Sequence, residues 1–216
     1  MDLKKLVFLL LFLPLAQVFA QEGTSLWSSV DIKKKITKKT YANIGLTTRH
    51  PENVSYLQTY FFEGSLGFKP NKIFDISVTY RNIHRKKNID AAFKKRYRYY
   101  ADMEASKKLK KLKISDRIRY QHQFKDNDVE TSFDASYIRN KINASYAINK
   151  NWDAYLSADF FYNVQNKEID QIRPKIGSSY SFAKHHTFDL GLLQNRSLIG
   201  EVHSGPIVAI GYQFKF

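Results

Sequence analysis

Residues 152–163 read Trp152-Asp-Ala-Tyr-Leu-Ser-Ala-Asp-Phe-Phe-Tyr-Asn163. Taken alternately, Trp152, Ala154, Leu156, Ala158, Phe160 and Tyr162 form one set. Asp153, Tyr155, Ser157, Asp159, Phe161 and Asn163 form the other. Successive side chains of a strand point to opposite faces, so this stretch predicts a strand with one apolar and one largely polar face.

The same period of two recurs along the chain. Phe74, Ile76, Val78 and Tyr80 oppose Asp75, Ser77, Thr79 and Arg81, and Tyr97, Tyr99, Ala101, Met103 and Ala105 oppose Arg98, Tyr100, Asp102, Glu104 and Ser106. Fainter versions occupy 30–36, 42–46, 60–68, 112–124, 142–148, 172–182, 188–192 and 206–216, with Asp116 breaking the apolar phase of its segment. No stretch of comparable length carries a capped 3.6-residue period. The expectation is an all-β, antiparallel barrel of ten to twelve strands in one domain, 21–216. Eleven segments are read, whereas a single-chain bacterial barrel with both termini on one side needs an even number. A further strand ahead of Ser55, or an irregular first strand, is therefore expected.

Connections alternate in length. Lys69–Lys72, Lys108–Lys111, Asn149–Asn151 and Ala183–His186 read as tight turns. Pro51–Val54, Ile83–Lys95, Lys125–Ser136, Gln165–Asp170 and Ser197–Ser204 read as longer polar loops. Short turns at one rim and longer loops at the other suit an outer-membrane barrel with its short turns in the periplasm.

The 216 residues include 35 Lys plus Arg against 20 Asp plus Glu, a formal net charge of +15. Disorder is nevertheless excluded as the overall state, because 43% of residues are hydrophobic and 15% aromatic. Cysteine is absent, which removes disulfides, thiol catalysis and thiolate metal sites. Residues 1–20 read as a secretory signal peptide: Lys4 and Lys5, an apolar run from Leu6 to Leu15, then Val18 and Ala20 at the −3 and −1 positions of a cut before Gln21. The run is too short for a membrane-spanning helix.

Alternation alone does not say which face points inward. A soluble ligand-binding barrel of the periplasm turns its apolar face in; a membrane barrel turns it out to lipid. The polar face here carries Arg81, Arg98, Asp102, Glu104, Arg117, Arg119, Arg139, Lys141, Asp153, Asp159, Arg173 and Lys175. Mixed charges of that density suit a polar lumen. Aromatic residues near strand ends, such as Tyr80, Tyr97, Trp152, Tyr162, Tyr180 and Tyr212, fit interfacial girdles. The lumenal charges admit two readings, a narrow anion-leaning channel or an ion-paired plug.

Other candidates read more blandly. The basic runs Lys33–Lys35, Lys38-Lys39, His84–Lys87, Lys94–Arg96 and Lys107–Lys113 lack the signature of a nucleic-acid-binding fold and read as turns and rims. His203-Ser204, with His84 and His122, offers raw material for a lipid hydrolase at the rim, though such a pair needs hydrogen-bond reach and a third, orienting group. His185-His186 could touch a metal, but two neighbours alone are usually solvated. No cofactor is expected, and the chain is read as not an enzyme.

The ending Tyr212-Gln-Phe-Lys-Phe216 resembles the terminal signal by which barrel-assembly machinery recognises Gram-negative outer-membrane proteins, with Tyr212, Phe214 and Phe216 as its apolar-phase residues. Leu26-Trp-Ser-Ser-Val30, Arg139–Tyr146 with Asn149-Lys-Asn-Trp152, and Arg173–Tyr180 resemble an uncharacterised Bacteroidota outer-membrane family known only as a domain of unknown function. Asp159 departs from it, since Glu is frequent in that strand. The resemblance implies an outer-membrane location, with lipid and the assembly machinery as partners. It implies no activity.

Overall fold

The computed structural model describes residues 23–126, 130–199 and 205–216. Alternating patches too thin to bury on their own pair edge to edge into β1 (Ser25–Lys35), β2 (Thr40–His50), β3 (Thr59–Phe68), β4 (Phe74–Arg85), β5 (Lys94–Leu109) and β6 (Leu112–Asp126). They continue as β7 (Thr131–Ala147), β8 (Trp152–Asn163), β9 (Glu168–Ala183) and β10 (His186–Leu193). A two-residue β11 (Arg196–Ser197) leans on β9, and β12 (Ile207–Lys215) ends the sheet.

Each strand from β1 to β10 is antiparallel to the next, β10 is antiparallel to β12, and β12 pairs with β1. The result is a closed barrel of eleven strands. In an up-and-down barrel an odd count forces the first and last strands to run the same way. The seam is accordingly parallel, with nine registered pairs from Ser25↔Ile207 to Lys33↔Lys215. The eleven alternating segments were therefore the full set. Residues 51–58, where a further strand was expected, form a loop with a 3-10 turn at Glu52–Val54, and β1 is regular. The start of β1 and the end of β12 consequently lie at opposite rims.

The alternation resolves inside out. Ile44, Leu66, Val78, Leu156 and Ile176 project from the wall, each more than half exposed. Arg81, Arg119, Gln121, Arg139 and Asp159 are buried inside it.

One predicted loop is largely strand, and another is shortened at both ends. Of Lys125–Ser136, β6 takes the residues to Asp126 and β7 those from Thr131; of Ile83–Lys95, β4 runs to Arg85 and β5 begins at Lys94. These ends stand above their neighbours at the rim: the β7–β8 ladder stops at Tyr137↔Asn163. Polar residues serve both faces there, so pairing continues while hydrophobic alternation stops. β5–β6 and β9–β10 turn in two residues at one rim, as predicted, but the expected long loop Gln165–Asp170 is a four-residue turn, because Glu168 and Ile169 already pair with Asn163 and Tyr162 on β8.

Candidate functional site

The lumen gathers the unusual chemistry, and the pleat explains how. Trp27, Arg49, Phe61, Arg81, Tyr100, Arg119, Arg139, Phe161 and Arg173 occupy inward positions of β1 to β9 in turn, and they stack. The Arg49 guanidinium lies 3.8 Å over the Trp27 ring and 5.2 Å from Phe61. Arg81 lies 4.1 Å over the Phe61 ring and 5.4 Å from Tyr100. Arg119 follows at 3.6 Å from Tyr100. Further round, Arg139 sits 4.1 Å over Phe161, and Arg173 spans Phe161 at 4.8 Å and Trp27 at 5.1 Å, which closes the ring. Desolvated cation–π contacts of this kind are worth up to about 2 kcal/mol each.

One link is ionic. Arg119 and Arg139 are registered partners whose like charges would repel, and carboxylates on the two flanking strands, Asp102 of β5 and Asp159 of β8, compensate them. Asp102 accepts two hydrogen bonds from Arg119, from Nε at 2.7 Å and Nη2 at 2.8 Å. Asp159 Oδ1 accepts from Arg117 Nη2 at 3.2 Å and from Arg139 Nη2 at 3.1 Å. Arg117 Nε stands 4.0 Å from Asp102, tying the two acids together. Next to this group, Glu63 Oε2 accepts from Arg81 Nε at 2.7 Å and from the Tyr100 hydroxyl at 3.0 Å.

The ring members pack closely against their neighbours. Tyr100, Arg119, Arg139, Phe161 and Asp159 each retain at most 7% of their surface. Positive charge is nonetheless in excess there. Arg98 donates to the Gln123 carbonyl oxygen and Arg173 to that of Asn195, while Arg49 makes no ion pair among the described residues. Room for the large side chains comes from β10 and β12, whose inward positions include Gly191, Ala209 and Gly211.

Between the ring and the short turns lies a cavity of about 540 Å³. Glu104, Lys141, Asp153 and Lys175 reach it, together with Arg117. All twelve charged positions named from the sequence thus lie on the inner face, five of them at this lower level and the remainder in or beside the ring. Sequence reasoning missed Trp27, Arg49, Phe61 and Tyr100 as partners of those charges. The signal was available, since each falls on the polar phase of its strand.

The remaining candidates scatter. His84 points outward and stacks on Tyr60, ring centroids 4.7 Å apart. His122 Nδ1 lies 2.7 Å from Ser136 Oγ, but Ser136 is 2% exposed and its N–H donates to Gln165 Oε1. His203 and Ser204 fall outside the described residues, as does the leader reading of 1–20. His185 Nδ1 meets the Lys215 carbonyl, and His186 Nδ1 lies 2.7 Å from the Tyr212 hydroxyl. No group of three His, Asp or Glu among the described residues could hold a metal.

Tyr212, Phe214 and Phe216 join an outward aromatic cluster with Phe182, His186 and Phe188 at the short-turn rim. No curated protein matches the chain. The family described as a protein of unknown function, DUF2490, matches residues 24–198, and the chain belongs to that family.

Proposed function

We propose that this is an integral outer-membrane barrel with a closed, structural lumen. The observation that carries this reading is the inverted burial: apolar side chains outside, ion-paired and stacked polar side chains within. Exposed apolar area of that extent is costly in water, and a soluble ligand-binding barrel would need the opposite lining.

Two outward aromatic girdles support it. Trp152, Tyr180, Phe182, Phe188 and Tyr212 cluster at the short-turn rim. Tyr80, Tyr97, Tyr99, Phe124 and Phe133 cluster toward the long-loop rim. Trp152 and Tyr162 are ten residues apart on β8. At roughly 3.3 Å per residue and a tilt of roughly 40°, that separation is about 25 Å along the barrel axis, the height of an outer-membrane apolar band. On this reading the short turns face the periplasm, and Tyr212, Phe214 and Phe216 form the signal that the barrel-assembly machinery engages.

The ring favours the plug over the anion-leaning channel, because its stacked members Tyr100, Arg119, Arg139 and Phe161 are buried within the lumen. The excess of arginine keeps the channel as the second reading.

Leu156→Arg tests lipid contact. Leu156 is 61% exposed. At mid-bilayer the change costs roughly 2–4 kcal/mol and abolishes the heat-modifiable folded band. A protein whose Leu156 faces water would tolerate it, and wild-type-like folding of Leu156→Arg would overturn the membrane reading.

A further inference from the structure

The cavity below the ring is built unlike the ring itself. Lys108, Lys111, Lys113, Arg117, Lys141 and Lys175 line it, against the carboxylates of Glu104, Asp153 and Asp189, a surplus of three positive charges. One of these three acids is already engaged: Asp189 Oδ1 accepts from Lys175 Nζ at 2.8 Å and from the Tyr155 hydroxyl at 2.9 Å. Among the described residues Lys108, Lys111, Lys113 and Lys141 form no ion pair with a carboxylate. They come from adjacent strands, since Lys108 and Lys113 are registered partners and Lys141 is the partner of Arg117. One wall of the cavity is therefore a basic patch on β5, β6 and β7.

That wall also supplies neutral donors and one buried N–H without a hydrogen-bond partner. Ser115, Asn143 and Ser145 face the same space. The Arg117 Nε–H is buried with no hydrogen-bond partner, although Nη2 of the same group is held by Asp159. The remaining lining carries Asp153, Tyr155 and Ser179 on β8 and β9, suited to hydroxyl or amino groups. Concentrated like charge repels itself in a low-dielectric enclosure, and a multivalent anion relieves that repulsion.

We propose that this cavity is a binding site for a soluble, phosphate-bearing small molecule that enters from the short-turn rim. A phosphate monoester carries about −1.5 to −2 charges, so two such groups match the surplus. Lysine ammoniums are compact point charges suited to phosphate oxygens, whereas a single carboxylate would leave most of them unanswered. The volume of about 540 Å³ falls within the range of small-molecule sites. Lipid headgroups could present the same chemistry, but their acyl chains cannot follow them into a polar lumen.

Calorimetric titration of inorganic pyrophosphate into the purified protein in detergent micelles tests this, and micelles make the result independent of membrane sidedness. The expected result is one saturable site per chain that weakens as sodium chloride is raised from 50 to 300 mM. Lys141→Gln and Lys113→Gln should each weaken binding about tenfold, with Ser145→Glu doing so from the opposite sign of change. Lys167→Gln, in the β8–β9 turn at the other rim, should bind like wild type. Lys113 is exposed, so its variant remains informative if Lys141→Gln fails to fold. Absence of saturable binding overturns the proposal, as does equal weakening by Lys167→Gln. Binding to phosphatidylglycerol nanodiscs, with none to pyrophosphate, overturns it in favour of a headgroup site.

Discussion

Arg119 grips Asp102 through two parallel hydrogen bonds while its flat face rests 3.6 Å from the Tyr100 ring. One guanidinium thus answers a buried acid along its edge and an aromatic ring on its face, a dual role that lysine cannot copy. The geometry makes the pair the pivot of the ring, because Asp102 also stands within ion-pair reach of Arg117.

Asp102→Asn should therefore destabilise the barrel by about 3–5 kcal/mol, since it leaves Arg119 charged in a lumen already rich in cations. The double variant Asp102→Leu with Arg119→Met should recover most of that loss. The temperature at which the folded band is lost on a semi-native gel reports both. A double variant as unstable as Asp102→Asn would show that the ring depends on more than charge balance.

Planar-bilayer recordings should find the wild-type barrel electrically silent, because the ring spans the lumen from Trp27 to Arg173 and back. Removing two neighbours together, Arg139→Ala with Phe161→Ala, should open a steady conductance that prefers anions, as the remaining arginines predict. Steady wild-type conductance would reject the plug and promote the channel.

The parallel seam makes a register prediction. Ser28 and Ile210 are partners on the outer face of β1 and β12. In this chain without cysteine, Ser28→Cys with Ile210→Cys should form a disulfide on mild oxidation, since Cα atoms of paired strands fall within bridging range. Ser28→Cys with Phe214→Cys, four residues along the same strand, should not. The reverse outcome would mean an antiparallel closure and an even strand count.

At Gly67 a Cβ would overlap the Tyr41 ring, which itself donates to Asp75 Oδ1 at 2.8 Å and carries Lys33 Nζ 3.4 Å above it. Gly67→Ala should cost about 1–3 kcal/mol by overpacking, measured as earlier loss of the folded band. Gly64 is the internal control: nothing lies within 4 Å of the Cβ it would gain. Gly64→Ala should leave the melting temperature nearly unchanged.

Residues such as Trp152–Asn163 made the strands legible, because a period of two is written locally in each segment and needs no partner to be recognised. The count of eleven was legible as well; only the belief that closure requires an even number suggested a missing strand. The rim extensions were hidden for a local reason too: Thr131–Ser136 pair through backbone groups, which leave no trace in side-chain hydropathy.

The candidate site was half visible. Phase alone placed Arg81, Arg119, Arg139 and Asp159 on one face, and no local signal says which of them meet. Arg139 finds Asp159 twenty residues away, but Arg117 reaches the same carboxylate from forty-two. Those distances follow from shear and register around the whole circuit. By itself, the sequence determined that this chain forms alternating strands with one charged face, since the chemistry of each strand is carried by consecutive residues. Only the tertiary structure decided that the charged face turns inward, that the seam is parallel, and that arginines stack on Trp27, Phe61, Tyr100 and Phe161, because these depend on closure, which every strand shares and none encodes alone.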